Sequence, residues 1–153
     1  MRVVDQVGDL RELIGQTLGT SDWLEITQER VDAFADATGD HQWIHVDPER
    51  ARTGVFGGTV AHGYLTLSLI PLLSSQVFSL RSARARLNYG LNRVRFPTAL
   101  PVGRRVRDRL EIVDVADASA GTLVTLRHTI EIEDGDRPAC VAETLTLVVP
   151  DSV

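Results

Sequence analysis

A long apolar segment followed by four strand-like segments is the feature that most constrains the fold of this chain. The run "YLTLSLIPLLSSQVF" belongs to a predicted helix over residues 63–79 whose surface is apolar almost all round. Such a helix has to be buried, and Pro71 within it predicts a kink. The later segments have to cover it, so the sequence predicts an α+β fold with a sheet wrapped around one central helix.

The four later segments carry the pattern of β-strands. They are rich in β-branched residues, and several alternate apolar and polar side chains: "LNRVRF", "RVRDRLEIVDVAD", "GTLVTLRHTIEIED" and "RPACVAETLTLVVP". The segments "ADASAG" and "EDGDRP" between them have the composition of hairpin turns. We therefore expect an antiparallel meander.

The first half is mostly helical. Residues 8–15 predict a short helix that ends at Gly15, and "TLGTSDWLEI" predicts a strand. Thr27 has the properties of an N-cap for a helix that ends at Gly39, a typical C-terminal glycine. Asp47 and Pro48 predict the start of another short helix, which Gly54 ends. Asp40 and His45 therefore fall in a predicted loop between two helix ends.

Length, charge and cysteine content narrow the class of protein. The 153 residues predict a single domain over 1–153, and the net charge of −5 argues against a nucleic-acid partner. The only cysteine, Cys140, excludes an intrachain disulfide, and the N-terminus lacks a signal-peptide pattern, which predicts a cytoplasmic protein. The longest apolar run is too short for a membrane span.

All sixteen basic residues are arginines, and nine of them lie between Arg81 and Arg109, where Asp108 is the only acid. One interpretation is a set of solvated strand faces balanced by acids elsewhere. The other is a site for an anionic ligand, because the planar guanidinium matches phosphate and carboxylate groups.

The stretch "TGDHQWIHVDP" from Thr38 to Pro48 contains the first group of candidate catalytic residues. Asp40 and His45 can share one water molecule, which one of them deprotonates while the other orients it. Alternatively, Asp40 caps backbone amides and His45 is a surface residue. His41 and His45, four residues apart, could bind a metal together with Asp40 if both histidines lay on one face of a helix. The segment contains helix-ending signals that argue against a continuous helix here, so we expect no metal.

The segment "AHGY" at 61–64 is the second candidate. Gly63 should lie at the N-terminus of the buried helix, where free amides and the helix dipole favour negative charge such as an oxyanion. Alternatively, the glycine only permits tight packing, and His62 is a core histidine bonded to backbone. Neither Cys140 nor any serine lies in a G-x-S-x-G nucleophile motif.

The segment "FADATGDHQWIHVDPERA" resembles the signature of the MaoC-like dehydratases, or (R)-specific enoyl-CoA hydratases. The matching positions, in order and spacing, are Phe34, Thr38, Gly39, Asp40, Ile44, His45 and Ala51. The segments "AHG", "RVRFP" and "PVG" also resemble the family, so the resemblance extends from about residue 20 onward. Gln42 and Trp43 depart from the usual Asn-Pro pair, as in small actinobacterial hydratases and nodulation protein N-like proteins. Ala37 and Arg104 depart as well.

The resemblance implies a hotdog fold, a homodimer, and hydration of trans-2-enoyl-CoA to (R)-3-hydroxyacyl-CoA. Asp40 and His45 would bind the catalytic water, and the Gly63 amide would bind the thioester oxygen. No metal or redox cofactor is implied, since CoA is part of the substrate. Further substrate contacts are expected among His62, Arg86, Asn88, Arg93, Arg95, Gln42 and Trp43. Two alternatives remain open: an acyl-CoA thioesterase, and a non-catalytic acyl-CoA-binding subunit.

Overall fold

A computed structural model describes residues 1–150 of the protein. The first half contains three short strands, a 3-10 helix and three helices: β1 (Arg2–Val4), the 3-10 helix (Val7–Leu13), β2 (Thr17–Thr20), β3 (Leu24–Glu25), α1 (Gln28–Thr38), α2 (Trp43–Val46) and α3 (Pro48–Ala51). The second half contains two helices and five strands: α4 (Gly63–Ser68), α5 (Ile70–Val77), β4 (Phe78–Leu80), β5 (Ala83–Arg95), β6 (Arg105–Ala118), β7 (Gly121–Ile132) and β8 (Cys140–Pro150).

The predicted meander is confirmed, because β6, β7 and β8 pair antiparallel in sequence order. The full sheet has the order β2-β6-β7-β8-β5, and β3 also pairs with β6. Alternate residues of β7, among them Leu126 and Ile130, are buried against the helices, as the period of two predicts. A small parallel pair of β1 and β4 was not predicted.

The central helix differs from the predicted single helix over 63–79. It is divided at Leu69 into α4 and α5, close to the kink predicted at Pro71, and it ends at Val77. Phe78 is extended because β4 pairs with β1, a contact that is distant in sequence. Leu65 and Leu73 pack against the sheet, but Tyr64 and Leu72 are exposed. The prediction that the whole surface of the central helix is buried is therefore wrong for a single chain.

Local capping chemistry sets the ends of the smaller helices as predicted. The Thr27 hydroxyl accepts a hydrogen bond from the Arg30 amide at 3.3 Å, and Gly39 ends α1 with a φ of 80°. The Asp47 carboxylate accepts from the Arg50 amide at 3.0 Å and starts α3. The segment between them is not only a loop, because His45 lies on the additional one-turn helix α2.

Acidic side chains balance a large part of the arginine-rich segment. Arg107 and Arg109 both contact Glu131, at 2.8 and 3.2 Å, and Arg105 contacts Glu133. These pairs support the interpretation of a solvated strand face, and each adds at most about 1 kcal/mol to stability. By contrast, none of the four arginines of β5 has an acidic side chain of residues 1–150 within 4.0 Å: Arg84, Arg86, Arg93 and Arg95. No helix in that range is long and apolar enough to cross a membrane.

Cys140 is fully buried at the start of β8. Burial, and after it the negative charge of Asp108, raise the pKa of the thiol to about 11. Since the thiolate is the reactive form, we expect labelling of the native protein by a disulfide reagent at pH 8 to be at least about 100-fold slower than labelling in guanidinium chloride. Equal rates in the two states would contradict this placement.

Candidate active site

Three side chains from separate segments meet at one point: Asp40 after α1, His45 on α2, and His62 just before α4. One ligand atom from each lies within 4.8 Å of the other two. Both histidines are buried, whereas the Asp40 side chain is 54% exposed. The two imidazole rings therefore form the buried floor of the site, and the Asp40 carboxylate lies where solvent can reach it.

The hydrogen bond of His45 determines which ring nitrogen is available. Nδ1 of His45 lies 2.6 Å from the main-chain oxygen of Val60. A carbonyl oxygen can only accept, so Nδ1 carries the hydrogen and donates it. In the neutral ring, the lone pair is consequently on Nε2, where it can take a proton from water.

His62 connects Asp40 to His45. Its Nε2 donates to the main-chain oxygen of Asp40 at 2.9 Å, and its ring stacks on that of His45, with centroids 3.8 Å apart. The Phe34 ring lies 5.0 Å away. His62 is thus a buried histidine bonded to backbone, as one of the two interpretations of the sequence held, and its packing fixes both candidate groups.

Gln28 and Thr59, which were not predicted as site residues, also hold His45 in place. The Gln28 amide donates to the main-chain oxygen of His45 at 2.7 Å, and its oxygen accepts from the Thr59 hydroxyl at 2.7 Å. Gln28 therefore joins the start of α1 to α2 and to the segment that presents the Val60 carbonyl. Contacts across 17 and 31 residues leave no local signal in the sequence.

Gly63 begins α4 beside a cavity of about 280 Å³. The Phe96 ring lies 3.1 Å from where a side chain on Gly63 would begin, so only glycine fits there without displacing the ring. This supports the tight-packing interpretation, which is compatible with a free amide in the first turn. The cavity is also lined by Ile44, Val60 and Thr66.

The other predicted site residues lie further out. His41 is exposed and pairs with Asp36 at 2.8 Å, which raises the pKa of the His41 imidazole. Gln42 begins α2. The Trp43 ring packs against Gly54, where an added Cβ atom would lie 3.1 Å from the ring. The Arg50 guanidinium lies over the face of the same ring. Neither Gln42 nor Trp43 lines the cavity beside Gly63.

The four predicted contacts on β5 divide between two faces. Arg86 and Asn88 line a larger cavity of about 570 Å³. Val94 packs against the core, so its neighbours Arg93 and Arg95 point to the opposite face. The structure therefore does not bring these four residues together at one site.

The spacing of Asp40, His45 and His62 would admit a cation, but the ring geometry favours proton chemistry. The two imidazoles are stacked with an angle of 25° between their planes. The lone pairs of stacked rings lie in nearly parallel planes and do not converge, whereas histidine ligands have to point at one ion about 2 Å away. One nitrogen of each ring is also committed to a main-chain oxygen.

Residues 9–133 match the family model of the MaoC-like domain, and the chain belongs to this family. It is 51% identical over 150 residues to the 3-hydroxyacyl-thioester dehydratase Z of Mycobacterium tuberculosis, covering 97% of this chain and 99% of that protein. Nodulation protein N of Rhizobium leguminosarum bv. viciae is 46% identical over 145 residues, which cover 93% of this chain and 90% of that protein.

Solved structures share the fold at lower identity. The R-hydratase PhaJ1 of Pseudomonas aeruginosa superposes with a TM-score of 0.73 at 20% identity, covering 90% of this chain and 83% of that one. An (R)-hydratase from A. caviae gives 0.72 at 24%, covering 88% and 96%. The sheet wrapped around α4 and α5 is the hotdog fold of these proteins, as expected.

Proposed function

We propose that the protein is an (R)-specific enoyl-CoA hydratase, which adds water reversibly to a trans-2-enoyl-CoA and so also dehydrates the (R)-3-hydroxyacyl thioester. The observation that carries this proposal is the His45 ring. Its Nδ1–H is held by the Val60 carbonyl, which leaves Nε2 as an acceptor, and a ring nitrogen of His45 lies within 4.8 Å of an Asp40 carboxylate oxygen. The dehydratase with 51% identity supports the same reaction class.

In the proposed reaction, a water molecule lies between the Asp40 carboxylate and Nε2 of His45. Nε2 takes a proton from the water as its oxygen bonds to C3 of the substrate. The imidazolium then returns that proton to C2 on the same face, so the elements of water are added and His45 is regenerated. Asp40 orients the water and stabilises the imidazolium while it exists.

Negative charge collects on the thioester oxygen during this step. The amide of Gly63, in the first turn of α4, is the proposed donor to that oxygen, beside the cavity that Ile44 and Phe96 line. One such donor is typically worth about 10²–10³ in rate. The proposed reaction requires no metal or redox cofactor. Arg93 and Arg95, which lack acidic partners in the described part of the chain, are the proposed contacts for the CoA phosphates.

We propose further that the protein forms a homodimer through β5. Among residues 1–150, this strand of 13 residues pairs with β8 along one edge and with no strand along the other, and an unpaired edge of that length favours pairing with another strand. Large apolar side chains are exposed along it and beside it: Leu87, Tyr89, Leu91, Tyr64 and Phe96. An interface over this surface would also cover the side of the central helix that is exposed in one chain.

A charged substitution on β5 should therefore separate the subunits. The wild-type protein is expected to have a mass of twice 16.8 kDa by light scattering, and Tyr89→Asp is expected to shift it towards 16.8 kDa at micromolar concentration. Val55→Ser, which changes an exposed apolar residue outside β5, serves as the control. A monomeric wild type, or an unchanged mass for Tyr89→Asp, would contradict the proposed interface.

One assay separates the proposed hydratase from a thioesterase. Crotonyl-CoA is incubated with the protein, and loss of the conjugated enoyl absorbance is followed in parallel with release of free thiol. We expect rapid loss of absorbance without thiol release. Thiol release without hydration would establish a thioesterase, and tight binding without either change would establish a non-catalytic subunit.

A further inference from the structure

A row of polar side chains crosses the apolar inner face of the sheet, away from Asp40 and His45. Nδ1 of His128 on β7 lies 2.7 Å from a carboxylate oxygen of Asp108 on β6. Nε2 of His128 lies 3.1 Å from the hydroxyl of Thr144 on β8. Asp108 and His128 are completely buried among leucine and isoleucine side chains of the same strands. Burial of such groups is costly unless they are hydrogen-bonded, and here His128 bonds to both Asp108 and Thr144.

The direction of the hydrogen bonds follows from Asp108. A carboxylate only accepts, so Nδ1–H of His128 donates to it. When the ring carries only this hydrogen, Nε2 accepts from the Thr144 hydroxyl. The hydrogen of Thr144 is thereby committed to His128, and its oxygen remains an acceptor. The row therefore presents one oriented hydrogen-bond acceptor at its Thr144 end.

Thr144 and His128 both line the cavity of about 570 Å³. This volume lies in the range of small-molecule sites. Most of its wall is apolar, formed by residues of α4, α5 and the sheet such as Leu67, Ile70, Leu126 and Leu145.

The cavity lies at the far end of the helix that begins at the proposed thioester site. Gly63 starts α4, whereas Leu67 and Ser68, at its other end, line the cavity. With a rise of 1.5 Å per residue, the two ends of α4 are about 8 Å apart along the axis. A medium-length acyl chain is long enough to cover that distance.

We propose that this cavity receives the distal part of an acyl chain that carries a hydroxyl group, and that Thr144 recognises this hydroxyl. His128 and Asp108 act as positioning residues, because they fix the direction in which the Thr144 oxygen accepts. Apolar walls suit the carbons of the chain, and the Thr144 oxygen suits a ligand group that donates a hydrogen bond. This inference rests on the proposed function, since it takes an acyl-CoA as the ligand.

The test measures binding without turnover, by calorimetry at 25 °C and pH 7. The ligands are octanoyl-CoA and a set of analogues that carry one hydroxyl group at successive positions of the distal half of the chain. We expect at least one analogue to bind the wild type about five- to tenfold more tightly than octanoyl-CoA, as one additional hydrogen bond provides.

Thr144→Val has nearly the same shape without the hydroxyl, so it should abolish this preference while it keeps or strengthens binding of octanoyl-CoA. Thr144→Ser should retain the preference. Thr122→Val, on β7 outside the cavity, is the matched control and should behave as the wild type. Absence of a preference for any hydroxylated chain would overturn the inference, and so would a preference that survives in Thr144→Val.

Failure of this inference is distinguishable from failure of the proposed function. Hydration of crotonyl-CoA tests the proposed function alone, because its four-carbon chain does not extend into the distal cavity. A protein that hydrates crotonyl-CoA but binds all the longer chains equally would be a hydratase without this recognition site. Absence of binding by every acyl-CoA would overturn both.

Discussion

Replacing Asp40 by Asn or His45 by Gln is expected to lower kcat/KM for crotonyl-CoA by about 10²–10⁴. In Asp40→Asn, the amide would hold the water without the negative charge that stabilises an imidazolium. In His45→Gln, the side chain would offer no nitrogen that can take a proton. The measurement is the initial rate of loss of enoyl absorbance, with the free energy of unfolding of each variant determined in urea.

The control for these variants is His41→Gln, since His41 is exposed and its ring pairs with Asp36. It should keep the wild-type rate within about twofold. The double variant of Asp40 and His45 should lose little more than the worse single variant, because groups that act as one unit are not additive. Full hydration by either single variant would contradict the site assignment.

His128→Leu is expected to lower the free energy of unfolding by about 3–5 kcal/mol. Leucine fills a similar volume, but it leaves the Asp108 carboxylate completely buried without the Nδ1–H donor that lies 2.7 Å away. The free energy of unfolding is measured by urea denaturation at pH 7. Its dependence on urea concentration is expected to be the same for the wild type and His128→Leu.

The double variant Asp108→Leu and His128→Leu identifies the cause of that loss. It removes the buried carboxylate together with its partner, so it should recover most of the stability that His128→Leu loses. A double variant that is less stable than His128→Leu would show instead that the Asp108 side chain stabilises the protein independently of His128.

Helix ends could be predicted from the sequence where the residue that sets them lies within one helical turn of the end. Thr27 and Gly39 set the limits of α1, and Asp47 with Pro48 starts α3, because a cap acts on amides only two or three residues away. The strands of the second half followed from their alternation. The end of the central helix was misplaced because its cause, the pairing of β4 with β1, joins segments more than 70 residues apart.

The site was predictable in part for the same reason. Asp40, His45 and Gly63 stand out in short motifs, and the structure places Asp40 and His45 together. The tautomer of His45 depends on the Val60 carbonyl, which only the fold brings near. The pairing of Asp108 with His128 likewise depends on the register of β6 and β7, which alternation alone does not determine.

The position of the oxygen atom that comes from water tests the central claim most directly. The protein is incubated with crotonyl-CoA in water enriched in ¹⁸O, and the products are analysed by mass spectrometry after separation. We predict one ¹⁸O atom in the 3-hydroxyl group of an intact (R)-3-hydroxybutyryl-CoA. Label in the carboxylate of free crotonate, with no 3-hydroxyacyl product, would contradict the proposal that Asp40 and His45 direct water to C3.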